Sequence, residues 1–184
     1  LNDALAAEAT AAGRAPIRLG AGIGLNTGTA SVGNMGSEQR FDYSVIGDTV
    51  NIASRLEGLS RAYGVDIVLG EPTVQRVPGL AYIEIDQVRV KGRDTPLHIF
   101  TVLGDAAFAS DGRFRRLAAD HAAMIAAYRT QDWPAARRAL ATCRVEQPGL
   151  AELYDLYERR IADYAAAPPP ANWDGVFVAT TKQG

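Results

Sequence analysis

The chain has 184 residues, 47% of them hydrophobic and 22% charged, with 18 glycines and 9 prolines; this is a globular composition that excludes collagen-like, coiled-coil and wholly disordered chains. Basic residues number 19 and acidic ones 21, spread evenly along the sequence, so no basic patch argues for nucleic acid or an anionic membrane surface. One cysteine, Cys143, and two histidines, His98 and His121, exclude an internal disulfide, leave too few ligands for a Cys- or His-based metal centre, and suit a reducing compartment.

No apolar run approaches the roughly 18 residues of a membrane span. The first residue is Leu1 rather than Met, so the chain is expected to be a piece of something longer. Residues 1–12 are Ala-rich and read as the last turns of a helix, closed by Gly13 and Pro16. From Ile17 the period changes to two: Ile17, Leu19, Ala21, Ile23 and Leu25 alternate with Arg18, Gly20, Gly22, Gly24 and Asn26. That pattern predicts a strand over 17–26 with one apolar face and one bare glycine face, on which a backbone, a helix or a ligand must approach closely.

A second strand is expected over 28–33, then a polar loop from Asn34 to Arg40 and a short strand over 43–46. Gly47-Asp48 opens a helix, with Asp48 as its N-cap and Val50, Ala53, Leu56 and Leu59 as its apolar stripe. Further strands are expected at 66–69, 81–91 and 97–103, all in one sheet. Residues 105–112 are small and polar and read as a linker. Beyond them only helical patterns remain, at 114–128, 135–143 and 150–164. Ala136, Leu140, Cys143 and Pro148 give this part the spacing of a tetratricopeptide unit; a lone unit cannot bury its own face, so it is expected to pack on the first domain or on a partner. From Pro168 to Gly184 the sequence is too proline-rich to continue a helix and reads as an extended arm.

The glycines do not make a nucleotide loop, because Leu25 and Thr27 stand where G-x-G-x-x-G needs its third glycine, and no G-x-x-x-x-G-K occurs. No Ser, His and Asp group stands in a nucleophile-elbow context. The informative stretch is YSVIGDTVNIASRLE at 43–57, where Asn51 and Arg55 lie four apart and project from one helix face. An amide and a guanidinium side by side are donors suited to a phosphate gaining negative charge. From spacing alone, an asparagine in a first turn and a solvated arginine is the plainer reading.

From Ile17 to Gly104 the chain resembles the C-terminal part of a class III nucleotidyl cyclase catalytic domain, in the bacterial adenylate cyclase branch. The resemblance is carried by IRLGAGIGLNTG at 17–28, SVGNMGSEQRFDYSVIGDTVNIASRLE at 31–57 and VRVKGRDTPLHIF at 88–100. Beyond Phe114 the tail resembles the extension of cyclases with a CHASE-type sensor and membrane helices upstream, ending in WDGV at 173–176. The implied architecture is an α/β, ferredoxin-like cyclase sheet lacking its N-terminal part over 1–104, a linker at 105–112, a tetratricopeptide-like helical extension over 113–166, and an extended arm over 167–184.

The resemblance implies ATP as substrate and cyclic AMP and pyrophosphate as products, in signal transduction. It gives Asn51 and Arg55 as the transition-state pair, Lys91 in VKGR as the holder of the terminal phosphates, and Arg40 as a weaker triphosphate contact. Ser44, seven residues before Asn51, falls at the purine-reading position. A hydroxyl there can accept from the adenine amino group or donate to a guanine carbonyl, so a guanylate cyclase remains an alternative. The resemblance places the aspartates for two Mg2+ or Mn2+ ions upstream of Leu1, so no metal ligand is assigned here and Asp42 and Asp48 are not promoted. It further implies a head-to-tail homodimer within a cytoplasmic portion of a membrane-anchored parent, and an active parent with an inactive isolated segment. A catalytically silent cyclase-like binding module is the alternative from a different class.

Overall fold

The computed structural model describes residues 2–15, 20–37, 40–89 and 95–178. Helix α1 (Asn2–Ala11) is followed by a three-residue strand, β1 (Ile23–Leu25); of the strand expected over 17–26, residues 20–22 are not strand and 17–19 lie outside the described residues. A hairpin comes next, β2 (Ser31–Ser37) and β3 (Arg40–Ile46), and leads into α2 (Asp48–Tyr63). Strand β4 (Ile67–Gly70), a short helix α3 (Glu71–Arg76) that the sequence pattern did not suggest, and strands β5 (Ala81–Arg89) and β6 (Leu97–Gly104) complete the first part. The helical tail comprises α4 (Ala106–Ser110), α5 (Gly112–Arg129), α6 (Trp133–Glu146) and α7 (Ala151–Ala166), and β7 (Phe177–Val178) follows.

Among the described residues the expected single sheet is two. One has five strands in the order β1-β4-β6-β5-β7, and the other is the hairpin alone. β2 and β3 pair in unbroken antiparallel register from Ser31↔Ile46 to Ser37↔Arg40, so 34–37 and Arg40 are strand where a polar loop is expected, and β3 starts ahead of the expected 43–46. Cross-strand hydrogen bonding explains the difference, because a ladder satisfies the backbone whatever the polarity of its side chains. The hairpin also exposes apolar side chains, with Val32 at 56% and Tyr43 at 76%.

The glycine face of β1 is covered by a helix. A Cβ on Gly24 would lie 2.0 Å from the Ala53 carbonyl oxygen, and one on Gly22 would lie 2.1 Å from the Ser60 hydroxyl, so α2 sits directly on the strand's backbone. Its buried stripe is Ile52, Leu56, Ser60 and Tyr63, rotated from the expected Val50, Ala53, Leu56 and Leu59 because the strand side admits only close approach. The cap is also corrected: Gly47 is the N-cap, without a side-chain hydrogen bond, and Asp48 is the first helical residue, where a carboxylate complements the positive end of the helix dipole.

The tail is packed on the sheet. Residues 105–112 form α4 and the start of α5, with Asp105 accepting from the Phe108 amide and Asp111 from the Arg113 amide. Phe114, Leu117, Met124, Ile125 and Tyr128 of α5 and Leu153, Tyr154, Tyr157 and Ile161 of α7 share one core with Ile83, Ile85 and Val88 of β5. The arm returns to the sheet, where β7 pairs in parallel with β5 at Val88↔Phe177. Arg89 meets Asp174 at 2.8 Å, and Trp173 packs edge-on to Tyr128 and Tyr164, with centroids 5.4 and 5.2 Å away.

Candidate functional site

Helix α2 carries the central candidates. Asn51 and Arg55 are both exposed and lie four apart, on the side opposite the stripe that faces β1 and the core. The N-terminal end of α2 is fixed from β1: the Asn26 side-chain amide donates to the Thr49 hydroxyl at 2.9 Å and to the Thr49 carbonyl at 3.4 Å. Asn26 is itself seated against Gly70, where a Cβ would approach its Oδ1 to 2.3 Å. The Thr27 and Thr73 hydroxyls, 3.0 Å apart, join the turn after β1 to α3. A helix docked on bare glycine backbone and pinned by an asparagine has little freedom to slide, and its two exposed donors inherit that rigidity.

Ser44 lies on β3 opposite Gly33, half-buried between exposed Tyr43 and Val45, and β3 runs through Gly47 into α2. Ser44 and the Asn51–Arg55 pair thus sit on two directly consecutive elements. Arg40 begins β3 opposite Ser37 at the hairpin tip, about 13 Å along the strand from Ser44 at ~3.3 Å per residue. Lys91 lies outside the described residues.

Among the described residues no three His, Cys, Asp or Glu side chains gather to hold a metal ion. No side chain among them is assigned as a ligand to the divalent ions that the cyclase resemblance implies. Both histidines are already engaged within the fold, with His98 Nδ1 2.7 Å from a Glu84 carboxylate oxygen and His121 Nε2 2.7 Å from the Glu84 carbonyl. No helix among the described residues is long and apolar enough to cross a membrane.

The supports behind α2 escape a reading of the sequence. Asn26 closes an alternating strand just before a turn, a position that by pattern alone reads as a turn residue. Tyr63, Asp86 and Arg160 form a buried polar group at the other end of the helix. Its one sequence signal is the lapse in alternation after Ile85, where Asp86 follows with Val88 next on the buried side.

Comparison with known proteins draws these features together. The chain is 39% identical over 83 residues to adenylate cyclase 1 of Rhizobium meliloti, covering 45% of this chain and 12% of that protein. It is 40% identical over 89 residues to an adenylate cyclase of Anabaena cylindrica, covering 46% and 18%, so it spans less than a fifth of either relative. Among solved structures, the adenylyl cyclase CyaB of P. aeruginosa is 36% identical over 45% of this chain and 41% of that one, with a TM-score of 0.38. The family model for the adenylate and guanylate cyclase catalytic domain matches residues 5–104, a span that takes in β1, the hairpin, α2 and the sheet through β6, and on that match the chain belongs to this family.

Proposed function

We propose that the protein carrying this chain is an adenylate cyclase, converting ATP to cyclic AMP and pyrophosphate in the cytoplasm, with this chain supplying the phosphate donors. The observation that carries the reading is the pair Asn51 and Arg55, exposed one turn apart on a helix whose other side is locked to glycine backbone. In the reaction the ribose 3′-oxygen attacks the α-phosphorus, its proton is lost, and the bond to the bridging oxygen of the β-phosphate breaks. Negative charge grows on the α-phosphoryl oxygens and on the leaving pyrophosphate. The Arg55 guanidinium and the Asn51 amide donate to that charge and to the ribose, which accelerates the step only insofar as their bonds tighten in the transition state.

Ser44 is proposed to read the base, its hydroxyl accepting from the adenine amino group. Lys91 and Arg40 are proposed to hold the terminal phosphates, which carry their charge already in the ground state. Two Mg2+ or Mn2+ ions would supply charge neutralisation and activation of the hydroxyl; their ligands are proposed to lie outside the described residues. A head-to-tail homodimer is part of the same reading, supported by the apolar side chains that β1 and the hairpin leave exposed, Ile23, Leu25, Val32, Tyr43, Val45 and Ile46.

The test is kinetic, on the complete protein. Asn51→Ala and Arg55→Ala each lower kcat for cyclic AMP formation roughly a hundredfold with KM for ATP little changed, as loss of a transition-state donor does. Normal kcat in both variants defeats the assignment. The isolated chain is expected to form no cyclic AMP.

A further inference from the structure

The helical tail grips the far end of the helix that bears Asn51 and Arg55. In β5 the pairing with β6 steps from Glu84↔Phe100 to Asp86↔Ile99, leaving Ile85 as an extra residue in a bulge. Bulges redirect side chains, and here Asp86 turns inward beside Ile85, leaving it 1% exposed. Three elements meet at its carboxylate. Tyr63, the last residue of α2, donates its hydroxyl to Asp86 Oδ2 at 2.5 Å. Arg160 of α7 donates to the same oxygen at 2.6 Å through Nη1, and through Nη2 to the Tyr63 hydroxyl at 3.2 Å. The Phe177 ring of the arm closes over the guanidinium, with its centroid 3.7 Å away.

The same end of α2 is held a second time. Gly64, in the left-handed region at φ +63, stops the helix, and a Cβ there would lie 2.2 Å from Cβ of Glu152 on α7. Burying an arginine and an aspartate together contributes little net stability, since desolvation offsets most of their attraction. What the arrangement supplies is direction, because the planar guanidinium meets two acceptors at fixed angles.

We propose that Arg160 is a positioning residue for the cyclase site: through Asp86 and Tyr63 it fixes the C-terminal end of α2, and with it the setting of Asn51 and Arg55, so the helical extension is part of the catalytic frame. The proposal rests on the role given to Asn51 and Arg55 above. At a rise of 1.5 Å per residue, Arg55 stands about 12 Å and Asn51 about 18 Å up the helix from Tyr63. A rod pinned at both ends holds such donors to fractions of an ångström, and a displacement of about 1 Å can cost on the order of a hundredfold in rate.

Tyr63→Phe and Arg160→Lys in the complete protein test this, with rates referred to folded enzyme. Tyr63→Phe leaves the Arg160–Asp86 pair intact and removes only its link to α2, so it folds even where Arg160→Lys does not. The expected result is a three- to tenfold fall in kcat for Tyr63→Phe, a larger fall for Arg160→Lys, and KM for ATP within twofold. Arg55→Ala should also cost less in the Tyr63→Phe background than alone, because the donor it removes is already misplaced. Unchanged kcat in Tyr63→Phe, a rise in KM alone, or losses that simply multiply would each overturn the proposal, while a lowered melting temperature with full kcat would reduce the cluster to a structural one. Full activity in Arg55→Ala by itself would instead overturn the underlying assignment of Arg55, and the positioning role with it.

Discussion

Gly24 shows how much a single missing side chain decides. A Cβ there would meet only backbone, the Ala53 carbonyl oxygen at 2.0 Å and the Glu57 amide nitrogen at 2.3 Å, and backbone cannot rotate away. Gly24→Ala must therefore lift α2 from β1, at a cost of about 1–3 kcal/mol, and should lower kcat because Asn51 and Arg55 ride on that helix. Gly20→Ala, with nothing within 4 Å of the added carbon, is the control. Urea unfolding of the two variants checks the contrast, and equal stabilities would show that the close approach is not rigid. That a face without side chains needs a close neighbour was legible from the alternation of Gly20, Gly22 and Gly24. That the neighbour is α2 was not, since nothing local in β1 specifies which element docks on it. The Asn51–Arg55 pair was legible for the opposite reason, because helical period alone puts both on one face. Arg160 could not be found this way, because its partners Tyr63 and Asp86 are 97 and 74 residues away.

Among the elements, β5 departs most from its own pattern. Its sequence alternates only as far as Ile85, where a bulge breaks the ladder, and tail side chains take up the released carbonyls: Tyr157 donates to Ile85 at 2.8 Å, and His121 Nε2 lies 2.7 Å from the Glu84 oxygen. The Glu84 carboxylate below them receives Arg129 at 2.7 Å. Burial alone would raise its pKa, but the hydrogen bonds from Arg129 and His98 outweigh that and lower it. Burial pushes the His121 pKa below its ordinary value, against a smaller opposing pull from Glu84, so the folded protein holds this ring neutral. The unfolded chain protonates it near pH 6.5. A depressed folded pKa means that the contribution to stability is present above about 6.5 and is lost as the pH falls below it. Melting temperature should accordingly drop between about pH 7 and 5 more steeply in the native protein than in His121→Gln, which keeps a donor but has no titrating ring. Parallel slopes would remove His121 from the pH response. The hairpin shows the converse limit of pattern reading: Asn34, Gly36 and Ser37 look like loop residues because they are polar or small, and they are strand because β3 is there to pair with them.

Over the whole molecule the division between a catalytic part and a tail, natural from the sequence, does not correspond to two cores. A single buried cluster runs from Ile52, Leu56 and Tyr63 through Val68, Ile83, Ile85 and Ile99 to Met124, Leu140, Tyr157 and Ile161. Ending the chain at Gly104 would uncover the tail-facing side chains of β5 and leave Asp86 buried or half-buried without Arg160. Removing one partner of such a pair costs about 3–5 kcal/mol by itself, against a net stability of about 5–15 kcal/mol for a typical domain. Residues 1–104 are therefore expected to lack a cooperative transition and to bind a hydrophobic dye, whereas the full chain unfolds as one unit. Both tryptophans, Trp133 and Trp173, lie beyond Gly104, so their fluorescence reports the tail while far-UV circular dichroism reports every element. Coincident urea midpoints by the two probes are expected for one shared core. If fluorescence unfolded first and left a stable sheet, or if residues 1–104 melted cooperatively near the full chain's temperature, the tail would be an accessory to an independent domain, and its packing on β5 would not be needed to hold α2 in place.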